Sequence, residues 1–488
     1  MKGHSFFLFV LLVMISSHSI FSQDEGWDVH VPRGAGDNIK YGLIAAAETQ
    51  LFIWPISVFN YFLLDFSWAL PTTDSIRNNF ITPWGWEDTD DFAVNQIGHP
   101  IHGLVYYGAG RVNGFSYYQS VFFSAFAGFV WETFGEANHG SINDLITTTT
   151  SSLAVGEMFY RLYVEAYAWG IPAPLAFIVN PMAGIHRLLT GWVQPDAGRN
   201  LYQLRLHAGG GYAVTHYYVS GFEQEVFSFQ GPFAEIGANV VYGNPFEQDT
   251  HIPYRHFELA VSYGLNPDNY NHLRIISDGY LFSFSPQFTH TNTQTDTMST
   301  GLSMHFDFQA HGKPGMEDST VDQYSNALDW TIKYQHLYQQ DTESQTAPQS
   351  ALQTALQLKL HAGLTFFGAS KYFAGETVIN DFGHEKTDYN NFGGGLNAKF
   401  YSSIENKWGR LEMSMLYYVI WTYPGATHFS KGNVWWLFTD LGYFHRITKH
   451  FSLGFTYSYV MERGSFSDRF LDIHKSNEMA KIFVECNL

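Results

Sequence analysis

Cysteine is almost absent from this chain. Cys486 is the only one in 488 residues, which excludes an intrachain disulfide framework and any cysteine-based zinc site. Charge is scarce as well: 15% of the residues are charged, where a soluble protein has about a quarter. Basic residues are the scarcer kind, 26 against 45 acidic ones, for a formal net charge of −19. That balance excludes nucleic acid as a partner, because its recognition needs a basic face. Acidic loops facing a lipopolysaccharide surface rich in divalent cations fit it, and so does charge kept for solubility. A mean hydropathy of −0.14 excludes a bundle of ordinary membrane helices. No G-x-S-x-G elbow, phosphate-binding loop or H-E-x-x-H pair occurs.

What is abundant is aromatic and small. Phe, Trp and Tyr make up 18% of the chain, and there are 44 glycines. Many aromatics, many glycines, few charges and middling hydropathy together suit a membrane β-barrel.

The first residues read as an export signal. Lys2 and His4 precede an apolar run from Phe6 to Ile15, then a small and polar stretch, Ser16-Ser17-His18-Ser19. Cleavage after Ser22 would leave a mature chain beginning at Gln23. The run is too short to anchor the protein in a bilayer. The expected plan is a signal peptide over 1–22, a lead-in with an apolar helix over 23–95, a helical domain over 96–195 and a barrel over 200–488.

From about Tyr202 onward the apolar period is two. The alternation is plain in Leu302 to Ala310, Leu328 to Tyr334, Leu356 to Leu360, Arg410 to Met415 and Leu453 to Tyr459. About twelve such segments have the length to cross a membrane at a tilt. Asp307, Asp329, Lys333, Lys359, Lys399, Arg410 and Glu412 fall on the polar face, which in a barrel lines the lumen. Mixed signs there suggest a salt-bridged interior rather than a wide pore. Trp435-Trp436, Tyr417-Tyr418, Trp421 and Tyr423 sit near strand ends, as interfacial girdles do. The last residues, Ala480 to Leu488, also alternate, as a barrel-closing strand would. Thr289 to Thr300 and Gln339 to Ser350 read as exposed loops, and the triple glycines 209–211 and 393–395 as bends or close contacts.

The texture before residue 200 is helical. Ile39 to Leu64 is apolar and interrupted by Pro55; Ile101 to Arg111, Ser116 to Ala137 and Leu145 to Tyr167 form further candidate helices. Pro100 suits a first helical turn, and Asp144 sits where it could cap the last of these helices. Gly108, Ala109, Gly110, Ala125, Ala127 and Gly128 would let helices approach closely. These helices are expected to pack against or inside the barrel.

Within them lies a polar constellation in apolar surroundings. Glu132 and Glu136, four apart on one expected helix, would share a face. A catalytic reading takes His99, His102, Glu132 and Glu136 as an acid–base set, and a metal reading takes Glu132, Glu136 and His139, since E-x-x-H is the spacing of di-iron bundle ligands. A di-iron bundle needs that pair twice, and it occurs once. The structural reading is therefore preferred: Asn95, Arg111, Asp144, Glu157 and Arg161 form a buried network, with Arg111, Arg161 and Arg187 neutralising carboxylates and His186 beside them. The cofactor question stays open.

An ordered series of residues carries a family resemblance. Asn95-x3-His99-Pro100-x2-Gly103, Tyr106-Tyr107, Arg111 and Gly114 are followed by Trp131-Glu132, Glu136, Ser141-x2-Asp144, Gly156-Glu157, Arg161 and Asn180-Pro181. Over about residues 75–190 this resembles the bacterial domain-of-unknown-function family 3943. The resemblance implies an outer-membrane barrel with a helical leader domain and implies no activity. A looser likeness is to VanZ-like helical membrane proteins, and it transfers no function.

The sequence thus points to an α+β protein: an N-terminal helical domain, then a transmembrane antiparallel β-barrel. The expected place is the Gram-negative outer membrane, with its lipids, lipopolysaccharide and the barrel assembly machinery as partners. An envelope structural or limited transport role leads. The rival is a lipid-modifying or metal-dependent enzyme with its site in the helical domain.

Overall fold

The computed structural model describes residues 35–63, 65–86, 92–191, 200–219, 227–246, 249–267, 271–290, 294–312, 321–339, 353–373, 388–425, 431–467 and 471–488. The proposed signal peptide and most of the expected loop Gln339–Ser350 lie outside them. The chain divides into two compact units, Met1–Asn200 and Leu201–Leu488, each taken here by itself.

The first unit is helical. Its elements are α1 (Ala35–Leu63), α2 (Thr73–Ile81), α3 (His99–Val112), α4 (Tyr117–Val130), α5 (Ile142–Ser151), α6 (Glu157–Ala168), α7 (Ala173–Val179) and α8 (Pro181–Thr190). Pro55 does not interrupt α1, which runs through it and is long and apolar enough to cross a membrane. Pro100 stands in the first turn of α3, where its missing N–H costs nothing. Thr72, Ser116, Ser141 and Asn180 cap α2, α4, α5 and α8 through their side chains. The cap of α5 is thus Ser141; Asp144 is the residue whose N–H it accepts.

One expected helix ends early. α4 stops at Val130, and Trp131–Gly135 forms a single π-helical turn, after which Glu136 is extended (φ −142°, ψ 159°). A Cβ on Gly135 would lie 2.9 Å from the Trp131 ring, so the ring folds over a position only glycine leaves free. Similar π turns precede α3 and α6, at Val94–Gly98 and Ser152–Gly156.

The second unit is a closed antiparallel barrel. Its strands are β1 (Leu201–Val219), β2 (Phe227–Tyr242), β3 (Phe257–Leu265), β4 (Asn271–Phe284), β5 (Gln287–His290), β6 (Gln294–Gly312), β7 (Val321–Gln339), β8 (Gln353–Phe373), β9 (Asp388–Asn406), β10 (Gly409–Thr422), β11 (Gly432–Arg446), β12 (Phe451–Phe466) and β13 (Ile473–Asn487). Each pairs with its neighbour in order, β1 pairs with β13, and β4 pairs with β6, closing a ring of twelve with short β5 as a spur on β6. The segment Thr289–Thr300, expected as a loop, lies mostly in β5 and β6. Polar composition misled there, because strand pairing satisfies the backbone whatever the side chains are.

The barrel is inside-out relative to a soluble one. Along β12, Leu453, Phe455 and Tyr457 face outward and exposed, while Gly454, Thr456 and Ser458 face inward and buried. β13 follows suit, with Ile482 and Val484 outside and Lys475, Asn477 and Glu485 inside. Apolar residues outside and charged ones inside are what a lipid-facing wall requires. The expected aromatic girdle is only half right. Tyr417 and Trp421 point outward, but their strand neighbours alternate, so Tyr418 and Trp436 point inward and are fully buried. The triple glycines sit where strands approach closely: a Cβ on Gly209 would meet the Ile482 carbonyl at 2.1 Å, and one on Gly395 the Val419 carbonyl at 1.8 Å.

The outward face yields a test. Leu441 on β11 is exposed; Leu441→Arg is expected to cost up to ~4 kcal/mol if it sits near the bilayer midplane, measured by denaturant unfolding in lipid vesicles. Tolerance of arginine there, with unchanged unfolding, would contradict a lipid-facing wall.

Candidate functional site

Three helices of the first unit are brought together by small residues. α5 presses its Thr148 against Gly103 of α3, where a Cβ would stand 2.0 Å from the Thr148 carbonyl oxygen. The same Thr148, with Leu145, contacts Gly128 of α4, where a Cβ would lie 3.3 Å from each side chain. One helical turn from each contact residue, on the same face, stands a polar side chain. Four residues before Gly103 is His99, four before Thr148 is Asp144, and four after Gly128 is Glu132. The packing therefore gathers these three at one end of the bundle.

All three are buried: His99 is 5% exposed, Glu132 1% and Asp144 0%. One donor atom from each lies within 4.8 Å of the other two. His99 Nε2 stands 3.5 Å from Asp144 Oδ1, and its Nδ1 is 3.4 Å from the Thr148 hydroxyl. Glu132 Oε2 accepts the Ser141 N–H at 2.8 Å, tying the carboxylate to the cap of α5. Asn143 Nδ2 donates to Asp144 Oδ1 at 2.8 Å, and Gln96 donates to Asn143 Oδ1 at 2.9 Å. Burial holds the His99 imidazole well below its ordinary pKa, and neighbouring His102 adds to this. Burial likewise brings His102 down to about 4, so both rings are neutral at pH 7. Tyr106 is fully buried, its hydroxyl has no hydrogen-bond partner among the described residues, and burial together with the Glu132 charge raises its pKa.

The sequence candidates divide. His99 and Glu132 meet, and Asp144, expected in a purely structural network, joins them. His102 lies beside the cluster, its ring 5.7 Å from that of His99 and packed on Trp131 and Tyr106. Glu136 is buried beyond the end of the π turn and does not share a helix face with Glu132. His139 is not a helical neighbour of Glu136; its ring contacts the Pro83 carbonyl oxygen at 2.8 Å. The E-x-x-H spacing needs a helix to bring its ends together, and here the helix has stopped. Thr148 was missed, and Tyr106 was read only as part of the family-like series and not as a site residue.

A second buried network holds the other half of the bundle. Glu157 is ion-paired with Arg111 Nε at 2.9 Å and Arg161 Nε at 2.8 Å, and accepts hydrogen bonds from Arg111 Nη2 at 3.2 Å and the Tyr107 hydroxyl at 2.8 Å. Arg111 also donates to the Phe115 carbonyl at 2.7 Å and lies over the Tyr160 ring. Glu48 of α1 is bridged to His186 at 2.6 Å and accepts from Asn113 at 2.7 Å. Arg187 rests on the Tyr167 ring, and Asn95 is buried in the π turn before α3.

In the barrel the inward charges pair across the lumen. Lys333 reaches Glu258 at 2.7 Å and Asp278 at 2.8 Å, and Lys359 reaches Glu258 at 2.7 Å. Lys399 pairs with Asp307, to which Tyr418 also donates, and Arg410 pairs with Glu485 and Glu412. Arg274 Nη1 on β4 meets Asp440 Oδ2 on β11 at 2.8 Å, two strands six positions apart whichever way the ring is followed. An apolar cluster fills the adjacent layer, with Ile276 of β4 against Tyr418, Trp436 and Phe438. A cavity of about 380 Å³ remains at the end where β1 starts and β13 finishes, bordered by Arg205, Glu235, Lys359 and Asp440 among others.

Residues 83–170 match the family described as Domain of unknown function (DUF3943). Solved structures with some likeness are outer-membrane barrels. The toluene transporter TodX of Pseudomonas putida has 8% identity and a TM-score of 0.24 over 59% of this chain and 90% of its own. The outer membrane protease OmpT of Escherichia coli has 7% and 0.17 over 59% and 97%. The outer membrane protein OprG of Pseudomonas aeruginosa has 8% and 0.19 over 60% and 98%. None superposes closely enough to carry a role across. Among curated proteins no match is found.

The Glu157 network gives a stability test. Glu157→Ala would leave two buried guanidinium groups without their carboxylate, an expected loss of about 3–5 kcal/mol, read as a lowered midpoint for the helical unit in chemical denaturation. A midpoint within error of the parent would show that the network does not hold the bundle.

Proposed function

We propose that this chain with its DUF3943 segment is an exported outer-membrane barrel whose lumen is closed to bulk solute, serving the envelope structurally rather than as an open channel. The carrying observation is the Arg274–Asp440 pair, which joins opposite walls of the barrel. The two side chains, 25% and 21% exposed at the border of the cavity, hold each other across the lumen, where a wide wet pore would let water hydrate them apart. The apolar cluster that includes Ile276, Tyr418, Trp436 and Phe438 supports the same reading, since it packs side chains of β4, β10 and β11 together inside the barrel. The export-signal pattern in residues 1–22 supports delivery across the inner membrane. Outer-membrane lipid and lipopolysaccharide are then the surroundings of the apolar wall, and the barrel assembly machinery its route of insertion.

Planar-bilayer recordings test the closed lumen. The purified chain is expected to insert without steady conductance at either low or high salt. A triple variant, Arg274→Ala with Asp440→Ala and Trp436→Ala, is expected to show conducting steps. Stable ohmic steps from the parent protein would contradict the reading.

A further inference from the structure

We infer that His99, Glu132 and Asp144 form a binding site for one divalent transition-metal ion in the helical unit. The geometry is the first support. A tetrahedral ion with ligands at about 2.0–2.1 Å holds neighbouring donors ~3.4 Å apart. His99 Nε2 and Asp144 Oδ1 are 3.5 Å apart, longer than a good N–H···O hydrogen bond and close to that tetrahedron's edge. The Glu132 donor lies within 4.8 Å of both, so a contraction of about 1.4 Å at most closes the set.

The donor chemistry is the second support. One imidazole with two carboxylates is a mixed nitrogen and oxygen set of the kind that suits zinc, iron or manganese rather than calcium or magnesium. Outer partners already orient each ligand. Thr148 engages His99 Nδ1 and leaves Nε2 facing Asp144. The Ser141 N–H and Asn143 Nδ2 hold Glu132 and Asp144. Such second-layer contacts are typical of sites that hold metal. Tyr106 adds an independent sign: its fully buried hydroxyl has no hydrogen-bond partner among the described residues and feels the Glu132 charge. Three protein ligands leave a coordination position for water, which that hydroxyl could meet.

A rival set in the barrel fails on the same criteria. His305, Asp329 and His361 also converge, but Lys399 Nζ stands 2.9 Å from His305 Nδ1. An ammonium donating there assigns the remaining proton to Nε2 and puts a positive charge beside any ion. The ligands of the helical set come from segments locked together at Gly103 and Gly128.

The test uses the full chain in detergent micelles, stripped with a chelator and then dialysed against micromolar Zn²⁺. About one equivalent of zinc per chain is expected by elemental analysis. Glu132→Gln and Asp144→Asn, which keep size and hydrogen bonding, are expected to weaken binding at least tenfold, while His139→Ala binds as the parent does. Loading the parent with Co²⁺ needs no variant and is expected to give the intense visible bands of a four- or five-coordinate site. Folded parent protein that retains no zinc and shows only octahedral cobalt bands would overturn the inference. Zinc binding that survives both Glu132→Gln and Asp144→Asn would overturn it too.

Discussion

Glu157 illustrates the constraint on which both units depend: a charge removed from water must be met by an opposite charge or a hydrogen-bond donor. Two arginines and a tyrosine converge on that one carboxylate, and in doing so they fix α3 against α6. The desolvation of three ions is costly, and only the full set of contacts offsets it. The consequence is specificity of packing, since Arg111 and Tyr107 of α3 meet Glu157 only when the two helices take this arrangement. Gly103, Gly128 and Gly156 make that arrangement possible, since a methyl group at any of them would strike a neighbouring helix.

The barrel meets the same constraint in the opposite sense. Its outer wall has no water to satisfy polar groups, so the charges turn inward. Turned inward, they face each other over a narrow lumen, and Lys333, Lys359, Lys399 and Arg410 each find a carboxylate on another strand. Arg274 and Asp440 carry this to its limit by joining opposite walls. These same interactions support the closed lumen proposed for the barrel.

How much of this was legible beforehand depended on how local each signal was. The period-two segments from β6 to β13 and the inward charges Asp307 to Glu412 are properties of single strands, and the structure places them as expected. The facing of Trp436 and Tyr418 was readable too, from parity, had the girdle been assigned residue by residue. Less visible was the end of α4 at Val130, because Gly135 forces it through a contact with Trp131 and not through a proline or a cap. That one ending separated Glu136 and His139 from Glu132. The convergence of His99, Glu132 and Asp144 depends on two interhelical contacts, and a single chain's spacing does not reveal which turns of different helices touch.

The central claim is that the barrel lumen is closed to bulk solute by its packed inward side chains. Cysteine accessibility addresses it directly, in a Cys486→Ser background that removes the one native thiol. A single cysteine at Thr331, buried between the inward Asp329 and Lys333, would be exposed to a membrane-impermeant thiol reagent in reconstituted protein. A packed interior predicts no labelling at Thr331 until the barrel is unfolded, with Leu441→Cys equally silent in intact lipid. Rapid labelling at Thr331 in the folded barrel would mean water passes where the structure places ion pairs, and would contradict the account.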